Sequence, residues 1–227
     1  MLLPALSAED ELALGSAMQR LTRLAQQSNR ETETINQLFT QAAGRLSILG
    51  SMVSAEAAAG QIGSRALHTA EGITREVMSV SAIRRTCQTV QLHLAQELAA
   101  LERPGSTIDL AFPYRSTRHG LSVALRDLQP RVETIGPLVS DPLHRCATTL
   151  DHLGVRIALG ATDVDGSAAT RVAHYSRRLK DLARLFFQLV GAIESYQQGL
   201  LATLIGMQRE LGSMPAGASA IDAEEVP

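Results

Sequence analysis

The last heptad-patterned stretch of the chain decides the fold: residues 172–207 read VAHYSRRLKDLARLFFQLVGAIESYQQGLLATLIGM. Apolar or small side chains recur there at steps of three and four residues, at Val172, Tyr175, Leu179, Leu182, Phe186, Leu189, Ile193, Tyr196, Leu200, Thr203 and Met207. A 3.5-residue repeat of this length keeps one face of a helix turned toward neighbouring helices. The stretch therefore predicts a long helix, from about 167 to 212, packed in a bundle.

The first half of the chain carries the same repeat twice, from Leu14 to Val53 and from Ile73 to Leu101. Residues 47–72 between these runs are rich in Ala, Gly and Ser and have the weakest helix propensity of this half. We place a chain reversal near Gly60–Gly63. The alternative is one unbroken helix to residue 102, which would be roughly 140 Å long and would need a partner chain along its length.

Residues 103–138 are predicted to form a proline-rich connector with a short helix over about 116–128. A new helix is predicted from Asp141, which can cap it, with Pro142 at its first position. Its apolar stripe is Leu143, Cys146, Leu150, Leu153 and Ile157. Asp163–Ser167 is typical of a turn, so this helix and the last one form a second hairpin.

Together these patterns predict an all-α protein, an elongated antiparallel four-helix bundle or coiled coil made of two long helical hairpins. The hairpins are residues 1–102 and 139–212, and residues 213–227 are expected to be a disordered acidic tail. Aromatic residues are only 3% of the chain, with no Trp. That scarcity argues against a β-sandwich, a barrel or a base-stacking nucleic-acid module.

Charge and hydropathy favour a cytoplasmic protein without nucleic-acid or membrane partners. The net charge is -2, so no global field attracts polyanions. The longest strongly apolar window, 185–193, is about half of the ~20 residues needed to span a bilayer. All basic residues except Lys180 are arginines, which together with the alanine content indicates a GC-rich bacterial genome.

Enzymatic motifs are absent from the sequence: there is no phosphate loop, dinucleotide fingerprint, zinc-protease motif or nucleophile elbow. Cys87 and Cys146 fall on apolar stripes and are too few for a structural zinc site. Residues 163–166 faintly resemble a calcium loop, but His174 stands where the bidentate acid belongs. We therefore expect no enzymatic activity, no cofactor and no metal.

One stretch resembles a known family. Residues 46–63, LSILGSMVSAEAAAGQIG, are similar to the hairpin tip of methyl-accepting chemotaxis receptors, in which an apolar run leads to alanines and then to two glycines three apart. Residues 157–161 and 172–183 resemble the same run and its returning helix. Gly50 and Gly160 stand where the family has asparagine, and its Glu and Arg contacts for the kinase and coupling protein have no clear match. The resemblance implies a receptor-tip-like bundle.

The two hairpins also resemble each other. Gly44–Gly50 is similar to Gly154–Gly160, and Arg65–His68 is similar to Arg171–His174. An internal duplication and a chance match between alanine- and glycine-rich helices both explain these similarities. With a duplication, two hairpins on one chain would imitate the receptor dimer.

These observations favour a non-enzymatic signalling scaffold or adaptor that binds a kinase, a coupling protein or a response regulator, with a homodimer as a further option. The residues expected to contact a partner are Gly50, Glu56, Gly60, Gly63, Arg65, Gly160, Arg171 and His174. One alternative is a phosphotransfer or phosphatase-like bundle acting on a response regulator through His68 or His174. However, Glu71 follows His68 closely, and an acid there would repel a phosphoryl group. Another alternative is an assembly or pore-forming α-helical protein.

Overall fold

The computed structural model describes residues 8–62, 64–102, 118–160 and 166–213. They form five α-helices and one π-helical turn: α1 (Ala8–Ala58), α2 (Ser64–Glu102), α3 (Arg118–Glu133), the π turn (Gly136–Ser140), α4 (Asp141–Leu159) and α5 (Gly166–Ser213). No strand occurs in these ranges, which confirms the all-α prediction. No helix in the same ranges is both long and apolar enough to cross a membrane. Residues 163–165 of the predicted turn and 214–227 of the predicted tail lie outside them, whereas Gly166, Ser167 and Ser213 belong to α5.

The first reversal lies where glycine allows it. Gly60 adopts a positive φ of 69°, a conformation that side chains with a Cβ disfavour. The N–H groups of Gly60 and Gln61 donate to the carbonyl oxygens of Ala57 and Glu56, at 3.1 and 2.9 Å. These bonds satisfy carbonyls at the end of α1 that have no partner within the helix. The chain thus turns back instead of continuing as one helix to residue 102.

Residues 118–159 form one broken column. Of the connector predicted over 103–138, residues 103–117 lie outside the described ranges, and the short helix expected there corresponds to α3. Proline interrupts the column without ending it: Pro130 lies inside α3, and Pro137 and Pro142 begin the π turn and α4. The Asp141 N–H donates to the Gly136 carbonyl, five residues back. The Glu133 carbonyl, which Pro137 cannot serve because it lacks an N–H, accepts a hydrogen bond from Gln197 Nε2 at 3.2 Å. A side chain of α5 thereby replaces a missing helical bond.

The four columns are α1, α2, the α3–π–α4 column and α5, and neighbours around the bundle are antiparallel. α1 packs on α2, α2 on α4, α4 on α5, and α5 on α1, while α3 extends the α4 column along α5. Contacts near both ends fix the α1–α5 direction: Glu56 meets Tyr175, and Arg20 meets Glu210. This is the antiparallel four-helix bundle of two hairpins that the heptads predict.

The predicted apolar stripes form the core. On α5 every member from Val172 to Met207 is buried except Thr203, which is half-buried. On α1 the stripe is fully covered at Leu21, Phe39 and Leu46. Small polar members are also inside, and Ser28 Oγ shares a 2.8 Å hydrogen bond with Tyr196 Oη. Burial of these stripes is the main favourable term in folding.

Candidate partner-binding surface

The first reversal, the end of α4 and the beginning of α5 lie at the same end of the bundle, and we call residues 45–62, 64–76, 150–160 and 166–182 the tip end. At three of its four helix–helix interfaces, a glycine lies at the contact between the two helices. A Cβ on Gly50 would lie 3.0 Å from Ile73 Cγ2, between α1 and α2, and one on Gly72 would lie 2.8 Å from Leu153 Cδ2, between α2 and α4. A Cβ on Gly154 would lie 3.2 Å from the carbonyl oxygen of Ser176, between α4 and α5. Of the three, only the approach at Gly154 is to a backbone atom, which yields less readily than the methyl groups of Ile73 and Leu153.

At the fourth interface, between α1 and α5, polar side chains make the contact. We call the residues Glu56, Arg171 and Tyr175 the clasp. The Tyr175 hydroxyl donates a 2.6 Å hydrogen bond to Glu56 Oε1, and Glu56 Oε2 lies 3.8 Å from Arg171 Nε. Neither Oε2 nor Nε has a hydrogen-bond partner among the residues that the structure describes. Since buried polar atoms are usually hydrogen-bonded, these two atoms are exceptions within the α1–α5 contact.

Tyr175 is the buried centre of this clasp. Burial, reinforced by the hydrogen bond to Glu56, raises the pKa of the Tyr175 phenol to about 12. The phenol therefore stays neutral and remains a donor at physiological pH. The exposed His174 ring packs edge-on against it, with centroids 5.9 Å apart.

A groove opens beside the clasp on the α1–α5 face. It encloses about 350 Å³ and is lined by Arg45, Ile48, Leu49, Arg178, Asp181 and Leu182. Apolar side chains are exposed at this place, Ile48 at 61% and Met52 at 37%. Arg178 Nη1 lies 3.9 Å from Met52 Sδ across the interface. We call this feature the α1–α5 groove. It is an apolar depression with a positively charged side chain at its edge.

The charges around the α1–α5 groove do not balance within the chain. Asp181 is paired with Arg184 at 3.1 Å, and Glu56 is engaged in the clasp. Arg45 and Arg178 are both exposed, and across the described ranges no acidic side chain pairs with either of them. The groove therefore presents two arginines without an ion-pair partner in those ranges, and the carboxylate of Asp181, next to exposed apolar surface.

The structure brings three of the eight predicted partner residues together: Glu56, Arg171 and His174 all surround Tyr175. Gly60 is exposed at the first reversal, Gly160 is half-buried at the end of α4, and Gly50 is buried. Gly63 and the side chain of Arg65 lie outside the described part. Buried Gly50 cannot contact a partner, because it holds α1 against α2.

The remaining residues of the groove were not predicted from the sequence. Arg45, Ile48, Met52 and Arg178 lie on faces of α1 and α5 that a single apolar stripe does not mark. One signal was available: the residues 45, 48 and 52 repeat the three–four spacing of the core stripe on an outward face. Residues three and four positions apart share one face of a helix, so the exposed apolar pair Ile48 and Met52 lies together on the outward face of α1.

Other candidate sites at the tip end do not form clusters. His68 is exposed and lies 3.6 Å from Glu71, between Nδ1 and Oε2. Groups of three or more metal-binding side chains are absent from the described ranges. Cys87 and Cys146 are buried, and desolvation raises the pKa of the Cys87 thiol to about 12. Both thiols therefore remain protonated in the core.

Burial distinguishes the two halves of the suspected duplication. The returning helices match, because Ala66 and Val172 are both buried while His68 and His174 are both exposed. The incoming helices do not: Leu46 is buried, whereas its counterpart Arg156 is exposed. Gly44–Gly50 also lies inside α1, whereas Gly154–Gly160 reaches the end of α4. The similarity of the hairpins is thus confined in the fold to α2 and α5.

Comparison of the chain with protein-family models finds no match, and comparison with curated proteins finds none either. The function is therefore argued from the geometry of the tip end.

Proposed function

We propose that this chain is a non-enzymatic helical adaptor that binds a protein partner through the tip end of its bundle. The observation that carries the proposal is the α1–α5 groove, where Ile48 and Met52 are exposed between two arginines that have no acidic partner among the described residues. Apolar surface rimmed by polar groups is typical of protein interaction sites. A helical surface of this kind recognises partners by burial and charge without chemistry of its own.

The construction of the tip end supports this assignment. Gly50, Gly72 and Gly154 fix three interfaces at close approach, so the helices present a preformed surface. Preorganisation of this kind lowers the ordering cost of association. The clasp of Glu56 and Tyr175 holds α1 and α5 on either side of the groove.

The finer part of the proposal concerns the setting. We propose a cytoplasmic bacterial signalling adaptor, whose partner is a signalling kinase, a coupling protein or a response regulator. The similarity of residues 46–63 to chemoreceptor hairpin tips supports this setting, and the α1–α5 groove lies beside that stretch.

The test compares partner recovery by two double variants that change equivalent side chains on different faces. Ile48→Asp with Arg178→Glu alters the groove, and Leu92→Asp with Arg85→Glu alters the exposed face of α2. Affinity-tagged proteins are incubated with a bacterial lysate, and bound proteins are quantified by mass spectrometry. We expect a signalling protein retained by wild type and by the α2 variant to fall at least tenfold with the groove variant.

Retention of the same set by all three proteins would contradict the proposal. Circular dichroism checks that both variants keep the helical content of wild type, which is expected because all four side chains are exposed.

A further inference from the structure

We propose that the α1–α5 groove receives an amphipathic helix with acidic flanks, which packs on the bundle as a fifth helix. This inference rests on the proposed function and adds the chemical class of the partner. It follows from the spacing of the groove residues and from the signs of the charges around them.

The spacing matches what a docking helix requires. On α1 the outward residues are Arg45, Ile48 and Met52, separated by three and four positions. On α5 they are Arg178, Asp181 and half-buried Leu185, with the same separations. The apolar part of this surface comes from α1, at Ile48 and Met52, while α5 supplies Arg178 and Asp181 at its side. Two antiparallel helices leave a groove along their interface, in which side chains of a third helix can pack. An extended strand would find no free backbone donors here, because both walls are helical.

The volume fits side chains and not a whole helix. About 350 Å³ lies between Ile48 and Leu49 on one wall and Leu182 on the other. A helix lying over the interface would therefore insert its apolar stripe and keep its backbone outside. Its apolar side chains would cover Ile48 and Met52, the two large apolar side chains exposed on this face.

The charge of the partner follows from the groove arginines. Arg45 and Arg178 stand on opposite walls, and neither has an acidic partner in the described ranges. Acidic residues flanking the apolar stripe of a docked helix would meet one arginine on each side. A helix flanked by lysine would bring like charges together, which costs binding energy. Charge complementarity thus favours an acidic helix over a basic one.

The test uses two synthetic helical peptides with identical leucine stripes, one with Glu and one with Lys at the flanking positions. Fluorescence anisotropy measures their affinity for wild type, for Arg45→Glu with Arg178→Glu, and for the matched surface variant Arg85→Glu with Arg145→Glu. Wild type and the surface variant should bind the Glu peptide at least tenfold more tightly than the Lys peptide. The groove variant should lose or reverse this preference.

The inference is overturned if neither peptide binds, if both bind equally, or if the preference survives in the groove variant. It is also overturned if sedimentation shows that wild type dimerises through the groove and that the groove variant does not. If the peptide experiment fails but the lysate comparison succeeds, the adaptor function stands and its partner has a different chemistry. Failure of the lysate comparison alone would remove the proposed function.

Discussion

At the scale of single residues, the α1–α5 interface depends on polar contacts that cannot be predicted from the local sequence pattern. Tyr175 lies on the core stripe of α5, but its hydroxyl reaches Glu56 on α1. Deeper in the bundle, Tyr196 reaches Ser28 in the same way. The α1–α2 and α2–α4 interfaces meet at the tip end through glycine and aliphatic groups. Between α4 and α5, the Ser176 hydroxyl donates a 2.8 Å hydrogen bond to the Gly154 carbonyl oxygen. Buried polar contacts thus join α5 to both α1 and α4.

Replacing Tyr175 with Phe removes the clasp hydrogen bond and leaves Glu56 without its donor. We expect Tyr175→Phe to lower the free energy of unfolding by about 1.5–3 kcal/mol, since hydrogen bonds to charged groups contribute in this range. Urea denaturation measures the loss, and a double-mutant cycle with Glu56→Gln isolates the pair. A coupling energy near zero would mean that the clasp does not stabilise the fold.

The same phenol predicts an alkaline effect. Its pKa is raised to about 12 in the folded protein, against an ordinary value of about 10. The folded state therefore holds the proton more tightly, so this stabilisation is complete below pH 10 and is lost as the pH rises toward 12. Wild type should lose more stability than Tyr175→Phe between pH 10 and 12. Parallel loss in both proteins would count against the raised pKa of Tyr175.

Gln91 is a polar residue at a core position of α2. It is 5% exposed, and neither amide atom has a hydrogen-bond partner in the described part of the chain. A buried unpaired amide costs free energy, so Gln91→Leu should raise the free energy of unfolding by about 1–3 kcal/mol. Exposed Gln88→Leu is the control and should change it by less than about 0.5 kcal/mol. A lower urea midpoint for Gln91→Leu would show that the amide is satisfied in solution.

At the scale of helices, close approach decides where glycine is needed. A Cβ at Gly154 would meet the Ser176 backbone oxygen and Leu179 Cβ, whereas none would be met at exposed Gly191 in α5. Gly154→Ala should therefore destabilise the protein by about 1–3 kcal/mol through overpacking. Gly191→Ala should stabilise it by up to about 1 kcal/mol through helix propensity. Thermal denaturation of the two variants measures both changes in stability. Equal changes for Gly154→Ala and Gly191→Ala would contradict the tight α4–α5 contact.

The sequence predicts helices well where one stripe repeats without interruption. The stripes of α1 and α5 are buried as their heptads predict, and the reversal lies at Gly60. The proline-rich segment was harder, because each proline locally indicates a break. Packing on α5 keeps the column continuous, and Gln197 supplies a donor that Pro137 lacks. That compensation is tertiary and leaves no local signal.

The candidate site was predictable only in part for the same reason. Glu56, Arg171 and His174 were found because they flank the reversals, but their meeting point at Tyr175 depends on how α1 packs beside α5. The groove arginines carry no motif. Their proposed role depends on the absence of an ion-pair partner among the described residues, since Asp181, the acid that lines the groove, is paired with Arg184. Only the packed structure shows this arrangement.

At the scale of the whole molecule, three interfaces at the tip end have close glycine contacts, and the fourth, between α1 and α5, has a polar clasp and an open groove. Glycine contacts fix α1 to α2, α2 to α4 and α4 to α5 at the tip end. The α1–α5 face keeps an apolar groove between arginines that have no ion-pair partner among the described residues. The scarcity of aromatic residues suits this architecture, because leucine, alanine and glycine let long helices pack closely.

The central claim is that binding occurs on the α1–α5 face of the tip end, and methyl NMR tests it most directly. Met52 borders the α1–α5 groove, whereas Met78 is exposed on α2, at 70%. Titration of protein carrying labelled methionine methyls with the Glu-flanked peptide should shift the Met52 resonance and leave that of Met78 unchanged. A shift at Met78 with Met52 unaffected, or no shift at either methionine, would contradict the account.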